Sequence, residues 1–160
     1  LEEVLAYQEK TVSIRHTNGS RHLVNLKIPQ GVNNGTKIKY GALGDTTHAH
    51  LPPGDLTVTI NIVEHEVFAR EGDNLKMHLT LGAWDAIIGT VVQINTIENK
   101  TINLNVPSGT QYGTTLKIPK HGMYNKEDTR GDLLVQALVK IPENLTEQQL
   151  NICKKLRDDE

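Results

Sequence analysis

The feature that most constrains this chain is an internal repeat. The stretch from Val24 to Tyr40, VNLKIPQGVNNGTKIKY, returns as INLNVPSGTQYGTTLKI from Ile102 to Ile118. At a constant offset of 78 residues, the two copies agree at 7 of 17 positions: Asn25/Asn103, Leu26/Leu104, Pro29/Pro107, Gly31/Gly109, Gly35/Gly113, Thr36/Thr114 and Lys39/Lys117. Repetition at this spacing predicts two copies of one supersecondary unit.

The identical positions are concentrated at turn residues. In each copy an alternating strand ends at a proline, which has no N–H to donate to a sheet, and two glycines four residues apart follow it. A second alternating strand comes next, and each copy then reaches a Gly-Asp pair, Gly54-Asp55 or Gly131-Asp132. Longer apolar alternations after these pairs predict two more strands, over Leu56 to Val63 and over Leu133 to Ile141.

These patterns predict a mostly β fold. We expect two tandem, homologous, small β-sandwich-like domains, each with a short helix, followed by a C-terminal helix. The predicted bounds are residues 1–68 for the first β-domain, 69–143 for the second and 144–160 for the helix. Aromatic residues make up only 4% of the chain, so aliphatic side chains must fill both cores.

Local signals place the smaller elements. Leu1 to Ala6 and Ala83 to Gly89 are each predicted as one or two helical turns, the second closed by its glycine. Lys10 to Ile14 alternates as a strand, and Asn18-Gly19 is a two-residue hairpin signal. We interpret Trp84 as a core residue rather than a binding aromatic, because isoleucines follow it at helical spacing.

The C-terminal segment has the pattern of an amphipathic helix. Thr146 with Gln149 three positions later predicts a capping box, so the helix is expected to begin there. Its apolar stripe consists of four residues: Leu150, Ile152, Cys153 and Leu156. The pattern leaves two roles open, since the stripe can pack on the second β-domain or join two copies of the chain.

Composition excludes several classes of partner. The chain has 160 residues, and its 17 basic against 19 acidic residues give a net charge of -2 without a clustered basic excess, so neither nucleic acid nor membrane is an expected partner. No apolar run approaches the roughly 18 residues of a membrane-spanning segment. The single cysteine, Cys153, cannot form an internal disulfide and favours a cytoplasmic location.

No catalytic motif stands out. The sequence has no Walker-type phosphate loop, no G-x-S-x-G elbow and no H-E-x-x-H. Asp55, Asp73 and Asp132 follow turn glycines or lie within turns, where capping of the backbone accounts for them. His48 and His50 form a His-x-His pair in a loop, but nothing beside them completes a metal shell. We therefore expect a binding module, not an enzyme, with no cofactor, no metal and no catalytic residue.

Several ordered motifs together resemble one family. They are I-P-x-G-x-x-x-G-T-x-x-K at residues 28–39, the Gly-Asp-Leu strand entries, HEVFAREGDNL at 65–75, WDAIIG at 84–89 and PENLTEQQ at 142–149. This set is similar, over nearly the whole chain, to the C-terminal substrate-binding region of DnaJ-type (heat-shock 40 class) co-chaperones. The sequence has no His-Pro-Asp tripeptide and no Cys-x-x-Cys-x-Gly repeats, so it resembles the zinc-free subtype without a J-domain. The family's first domain begins with a further strand, which here would precede Leu1.

The resemblance implies a function and a set of residues. It implies a co-chaperone fragment that binds unfolded or apolar-rich polypeptide for delivery to a DnaK-type (heat-shock 70 class) chaperone. By position, the client groove would contain Val12, Ile14, Ile60 and Phe68. Lys10 and Lys27 would hold the acidic C-terminal tail of the partner chaperone. The stripe Leu150, Ile152, Cys153 and Leu156 would form a homodimer interface.

Two other classes fit a tandem β chain. One is a β-sandwich module that binds a carbohydrate or another small ligand, although such sites usually present clustered aromatics and the four tyrosines and one tryptophan here are spread along the chain. The other is a viral or secreted structural protein with an internal duplication. Suppression of aggregation of an apolar client separates the co-chaperone from both.

Overall fold

The computed structural model describes residues 1–15, 19, 21–44, 54–125 and 127–159. The mostly β prediction is confirmed, since these residues form ten strands, two α-helices and one 3₁₀ turn. The strands are β1 Gln8–Arg15, β2 Arg21–Ile28, β3 Lys37–Tyr40, β4 Leu56–Thr59, β5 Ala69–Glu71, β6 Asn74–Gly82, β7 Thr90–Asn95, β8 Thr101–Val106, β9 Thr115–Ile118 and β10 Leu133–Lys140. The 3₁₀ turn is Glu2–Leu5, and the helices are α1 Ala83–Ile88 and α2 Glu147–Asp158. The pair His48 and His50 lies outside the described residues.

The strands form one four-stranded sheet and three two-stranded sheets. The four-stranded sheet has the order β5-β6-β10-β9, and the two-stranded sheets are β1-β2, β3-β4 and β7-β8. In the hairpin of β1 and β2, Gln8 lies opposite Ile28 and Arg15 lies opposite Arg21 in antiparallel register. The two strands that flank the hairpin signal therefore pair in antiparallel as predicted, but the register is one residue away from that of a two-residue turn at Asn18-Gly19, which would place Arg15 opposite His22. Of the signal itself, Gly19 has φ of 81°, and Asn18 is outside the described part.

The hydrogen bonds of the turns reproduce the sequence repeat. The amide of Gly35 donates to the carbonyl of Ile60 at 2.8 Å, and the amide of Gly113 donates to the carbonyl of Ala137 at 2.7 Å. Both glycines have positive φ, 76° and 82°, a conformation that costs other residues energy. The two copies thus share a backbone turn as well as a sequence pattern.

A second shared feature is an ion pair, which we call the lysine–aspartate clasp. Lys39 Nζ lies 2.6 Å from Asp55 Oδ2, and Lys117 Nζ contacts Asp132 Oδ2 in the other copy. Each aspartate also accepts a hydrogen bond from the backbone N–H three residues after its lysine, at 3.3 Å and 3.0 Å. The hydrogen bond from the lysine is the main cause that lowers the pKa of each aspartate below its ordinary value.

Gly31 occupies the tightest position of the first turn. Its φ is 70°, and a Cβ added there would lie 2.0 Å from the carbonyl oxygen of Tyr124. Its amide donates to the carbonyl of Val4 in the 3₁₀ turn at 2.8 Å. No side chain fits this position without moving the backbone beside it.

The chain divides into two compact units. The first comprises Leu1–Met77, Asn95–Lys100 and Lys117–Leu134, and the second comprises His78–Ile94, Thr101–Leu116 and Val135–Glu160. Aliphatic and thioether side chains dominate the buried residues of both units. In the first unit the most buried include Leu26, Leu75, Met123 and Leu133, and in the second Leu81, Val106, Val135 and Ala137. The predicted domain limits at residues 68 and 143 stay a prediction.

The first of the two longer strands is shorter than predicted. β4 ends at Thr59 rather than Val63, because its partner β3 begins at Lys37, which lies opposite Thr59. Ile60 still exchanges backbone hydrogen bonds with Gly35 and Thr36, both at 2.8 Å. Beyond it the amide of Ile62 donates to Asn34 Oδ1 at 2.8 Å, so a side chain holds the chain where it leaves the sheet.

The interpretation of Trp84 as a core residue is wrong. Trp84 is 42% exposed, and Ile87 and Ile88 are also exposed, whereas Ala86 is the buried residue of α1. A helix of six residues has fewer than two turns, so it covers the core with one narrow face only. Here the small alanine occupies that face.

No helix in the described part of the chain is both long enough and apolar enough to cross a bilayer.

Candidate functional site

A cleft of about 460 Å³ opens in the first unit beside β1. The 3₁₀ turn, the start of β1, the end of β2 and the segment after β4 form its walls. Side chains that border it include Glu3, Val4, Gln8, Lys10, Ile28 and Ile60. Successive side chains of a strand point to opposite faces, so Val12 and Ile14 project from the same face of β1 as the two β1 residues that line the cleft.

The hairpin face that carries Val12 is apolar at Val12, Ile14, Val24, Leu26 and Ile28, and Gln8, Lys10 and His22 lie on the same face. Val12 lies opposite Val24 and Lys10 lies opposite Leu26, and residues directly opposite in an antiparallel pair share a face. Val24 and Leu26 are buried, whereas Val12 and Ile14 are only half-buried. The β2 half of this face is core, and the β1 half keeps apolar surface accessible.

The outer edge of β1 is open. Among the described strands, β1 pairs with β2 alone, so along its other edge alternate N–H and C=O groups have no strand partner. An unpaired edge beside accessible apolar side chains is the geometry that accepts an added extended strand.

A second cleft, of about 640 Å³, adjoins the first in the same unit. The two share Leu1, Ile62 and Val63 as lining residues, and Phe68 lies in the wall of the second. Phe68 is only 6% exposed, while Val63 is 81% exposed. Of the four predicted groove residues, the structure thus places Ile60 in the first cleft, Phe68 in the second, and the two β1 residues on the adjoining strand face. The sequence did not point to Ile62 and Val63, although both line the two clefts and continue the run predicted as a strand.

His65 and Arg70, which the sequence interpretation also missed as site residues, hold the wall of the second cleft. Arg70 donates three hydrogen bonds to backbone carbonyls, from Nε to Gly72 at 2.8 Å, from Nη1 to Val32 at 2.7 Å and from Nη2 to Gly31 at 2.9 Å. Burial lowers the pKa of Arg70, since desolvation disfavours its charge. These bonds tie the segment after Phe68 to the first Pro-x-Gly turn.

The two lysines predicted to hold an acidic tail lie on opposite faces of the hairpin. Lys27 lies opposite Glu9, one position away from Lys10 on β1, so its side chain points to the other face. Lys10 Nζ contacts Glu3 Oε2, and this hydrogen bond is the main cause that lowers the pKa of Glu3. The structure does not bring the two lysines together, and their contact with a tail stays a prediction.

The C-terminal helix begins as predicted. Thr146 is its N-cap, and the reciprocal hydrogen bonds with Gln149 form the capping box. Within the helix no residue is buried: three stripe residues are 44%, 58% and 61% exposed, namely Leu150, Ile152 and Leu156, and the fourth, Cys153, is half-buried. An apolar stripe in water is unfavourable, so this helix face has the composition of an interface.

No group of three or more histidine, cysteine, aspartate or glutamate side chains among the described residues is arranged to hold a metal ion.

Comparison with known proteins identifies the family. Residues 1–142 match the family described as DnaJ C terminal domain. A chaperone protein DnaJ of Chlamydia felis is 40% identical over 139 residues, which is 86% of this chain and 36% of the relative. One of Fusobacterium nucleatum is 32% identical over 94% of this chain and 39% of the relative. The chloroplastic chaperone protein dnaJ A7B of Oryza sativa is 36% identical over 83% of this chain and 30% of the relative. The chain spans about a third of the length of the curated relatives it matches.

The matched residues 1–142 include the open-edged hairpin and both repeated turns. This chain belongs to the DnaJ C-terminal domain family.

Proposed function

We propose that this chain binds unfolded or apolar-rich polypeptide in extended form along the open edge of β1. The observation that carries the proposal is the free edge of β1 beside half-buried Val12 and Ile14, next to a cleft that Ile60 lines. Backbone hydrogen bonds to the edge would supply affinity for any sequence, and the apolar face would favour apolar side chains. Binding of this kind needs no catalytic group, so we propose that the chain acts without catalysis.

The wider role is that of a co-chaperone part. The relatives carry the name chaperone protein DnaJ, and we propose that the chain presents its client to a DnaK-type chaperone. We also propose that α2 joins two copies of the chain, because its apolar stripe has no cover in the described residues. Two weak clefts that act on one long client would hold it more tightly than either alone. For this chain we propose a cytoplasmic location, which the single cysteine supports.

A paired substitution tests the site. Val12→Ser with Ile60→Ser removes apolar surface from both parts of the groove, where full burial of such a side chain is worth about 1.5–3 kcal/mol. In a shallow groove a fraction of this is realised, so we expect the affinity for an unfolded apolar peptide, measured by fluorescence anisotropy, to fall on the order of tenfold. Suppression of client aggregation, measured by light scattering, should fall with it.

Leu23→Ser is the matched control. Leu23 is 77% exposed on β2 and lies opposite Ser13, so it projects from the other face of the same hairpin. This control should bind peptide as the wild type does. If the control and the double variant lost affinity equally, or if the double variant bound normally while folded, the β1 face would not be the client site.

A further inference from the structure

The imidazole of His65 makes contacts on every side. Its Nδ1 accepts hydrogen bonds from the backbone amides of Val67 at 3.0 Å and Phe68 at 3.2 Å. Its Nε2 lies 3.0 Å from Glu2 Oε1 in the 3₁₀ turn. The ring also packs against the ring of Phe68, with centroids 5.1 Å apart and planes tilted by 52°. His65 therefore connects the 3₁₀ turn to the segment that carries the aromatic wall of the second cleft.

These contacts indicate which nitrogen of the His65 ring carries a proton. A nitrogen that accepts hydrogen bonds carries no proton, so Nδ1 is bare and Nε2 carries the hydrogen that it donates to the Glu2 carboxylate. The ring is thus neutral in this arrangement. A proton on Nδ1 would remove the acceptor for both backbone amides and would point an N–H group at two other N–H groups.

We propose that the second cleft also receives client side chains, that neutral His65 positions its Phe68 wall, and that protonation of His65 loosens this wall and weakens client binding. This inference rests on the proposed function, because the second cleft adjoins the cleft beside β1 and shares Leu1, Ile62 and Val63 with it. Histidine is the side chain whose charge ordinarily changes between about pH 5 and pH 8. The cleft would consequently hold clients at neutral pH and release them on mild acidification.

The charges around His65 do not reverse this direction. Glu2 is the charged group that contacts the ring, and its carboxylate would attract a charged imidazole. Glu2 is about half exposed, however, and water screens such exposed pairs strongly. Glu64 and Glu66 flank His65 in the chain and are exposed, and Arg70 in the same cleft is occupied by its three carbonyls. Loss of two backbone hydrogen bonds therefore outweighs one screened attraction.

The test compares peptide affinity across pH for the 160-residue chain and two variants. His65→Asn keeps an acceptor oxygen where Nδ1 lies, because asparagine caps backbone amides two and three residues ahead in the same way, but it does not titrate. His65→Ala removes the acceptor altogether. The probe is a capped, extended peptide of leucine, serine and glutamine, which has no ionisable group. His78→Asn, an exposed histidine of β6, is the matched control.

From about pH 7.5 to about pH 5.5 we expect the wild type and His78→Asn to lose affinity about fivefold, while carboxylates stay mostly ionised. His65→Asn should bind nearly as well as the wild type at neutral pH and show no dependence on pH. His65→Ala should bind about fivefold more weakly at both values. In the wild type, the NMR amide signals of Val67 and Phe68 should move with the same midpoint as the affinity.

Three results would overturn the inference. Affinity of the wild type that stays constant across pH would exclude the switch while leaving the proposed function intact. The same pH dependence in His65→Asn as in the wild type would assign the effect to another group. Absence of peptide binding by the wild type at every pH would overturn the proposed function and this inference with it. Denaturant unfolding of each variant shows whether a loss of affinity reflects a loss of fold.

Discussion

Replacing Gly31 by alanine should destabilise the first unit more than the same change at Gly35. Both glycines have similar positive φ, 70° and 76°, in the same turn of the same unit. For alanine this conformation costs about 1–2 kcal/mol at either position. The surroundings differ, since a Cβ at Gly35 meets nothing within 4 Å, while a Cβ at Gly31 would lie 2.0 Å from a backbone carbonyl oxygen.

The additional cost at Gly31 comes from displaced backbone. The contacting atoms belong to Tyr124 and Asn125, and main-chain atoms cannot rotate away as a flexible side chain does. Overpacking of this kind typically costs about 1–3 kcal/mol. We therefore expect Gly31→Ala to lower the free energy of unfolding by about 2–5 kcal/mol and Gly35→Ala by about 1–2 kcal/mol.

Urea unfolding followed by circular dichroism measures both losses, with the slope on denaturant compared to confirm that the same surface unfolds. The backbone N–H of each residue survives the substitution, so neither variant loses the hydrogen bond to Val4 or to Ile60. Equal losses in the two variants would refute the reasoning, because they would show that the close approach to Tyr124 has no energetic consequence.

Two further predictions concern the helix and the clasp. Leu156→Asp should convert a dimer into a monomer in sedimentation at micromolar concentration, because it places a charge in the apolar stripe. Asn151→Asp, on the other side of α2, should leave the dimer unchanged. A monomeric wild type would disprove the interface. Asp132→Asn should lower stability at neutral pH but not in acid. The pKa of Asp132 is lowered in the fold, so the clasp stabilises above the ordinary carboxyl pKa and its contribution disappears as pH falls through the folded value. Urea unfolding midpoints of the wild type and Asp132→Asn, measured between about pH 7 and pH 3, check this, with Glu143→Gln as an exposed control. A difference between the two midpoints that stays constant over this pH range would contradict the prediction.

The parts of the fold that follow from local chemistry could be predicted from the sequence. Proline and glycine decide a turn within a few residues, and the turns at Gly35 and Gly113 have nearly the same φ and the same hydrogen bond. The capping box at Thr146 is equally local. These features depend on residues that are close in sequence, so the amino-acid sequence alone predicts them.

The parts that depend on distant residues could not be predicted. Glu2 and His65 are 63 residues apart, and Arg70 contacts the turn at Gly31 from 39 residues away. No periodicity connects such positions, so the sequence does not predict that Glu2 contacts His65 or that Arg70 ties the wall of the second cleft to the turn at Gly31. The faces of Lys10 and Lys27 could not be predicted either. A two-residue turn at Asn18-Gly19 would place Lys10 directly opposite Lys27, whereas the observed register places Lys10 opposite Leu26, and a shift of one residue moves a side chain to the other face.

The paired turns also bear on how such a chain tolerates change over time. Backbone hydrogen bonds and one lysine–aspartate pair shape each turn. Few residue identities are therefore needed to maintain the turn conformation. The exposed positions that differ between the copies, such as Lys27/Asn105 and Lys37/Thr115, can change without altering the turn, whereas buried ones such as Val106 must still fit the core. Each copy can therefore carry its own surface residues on the same backbone turn.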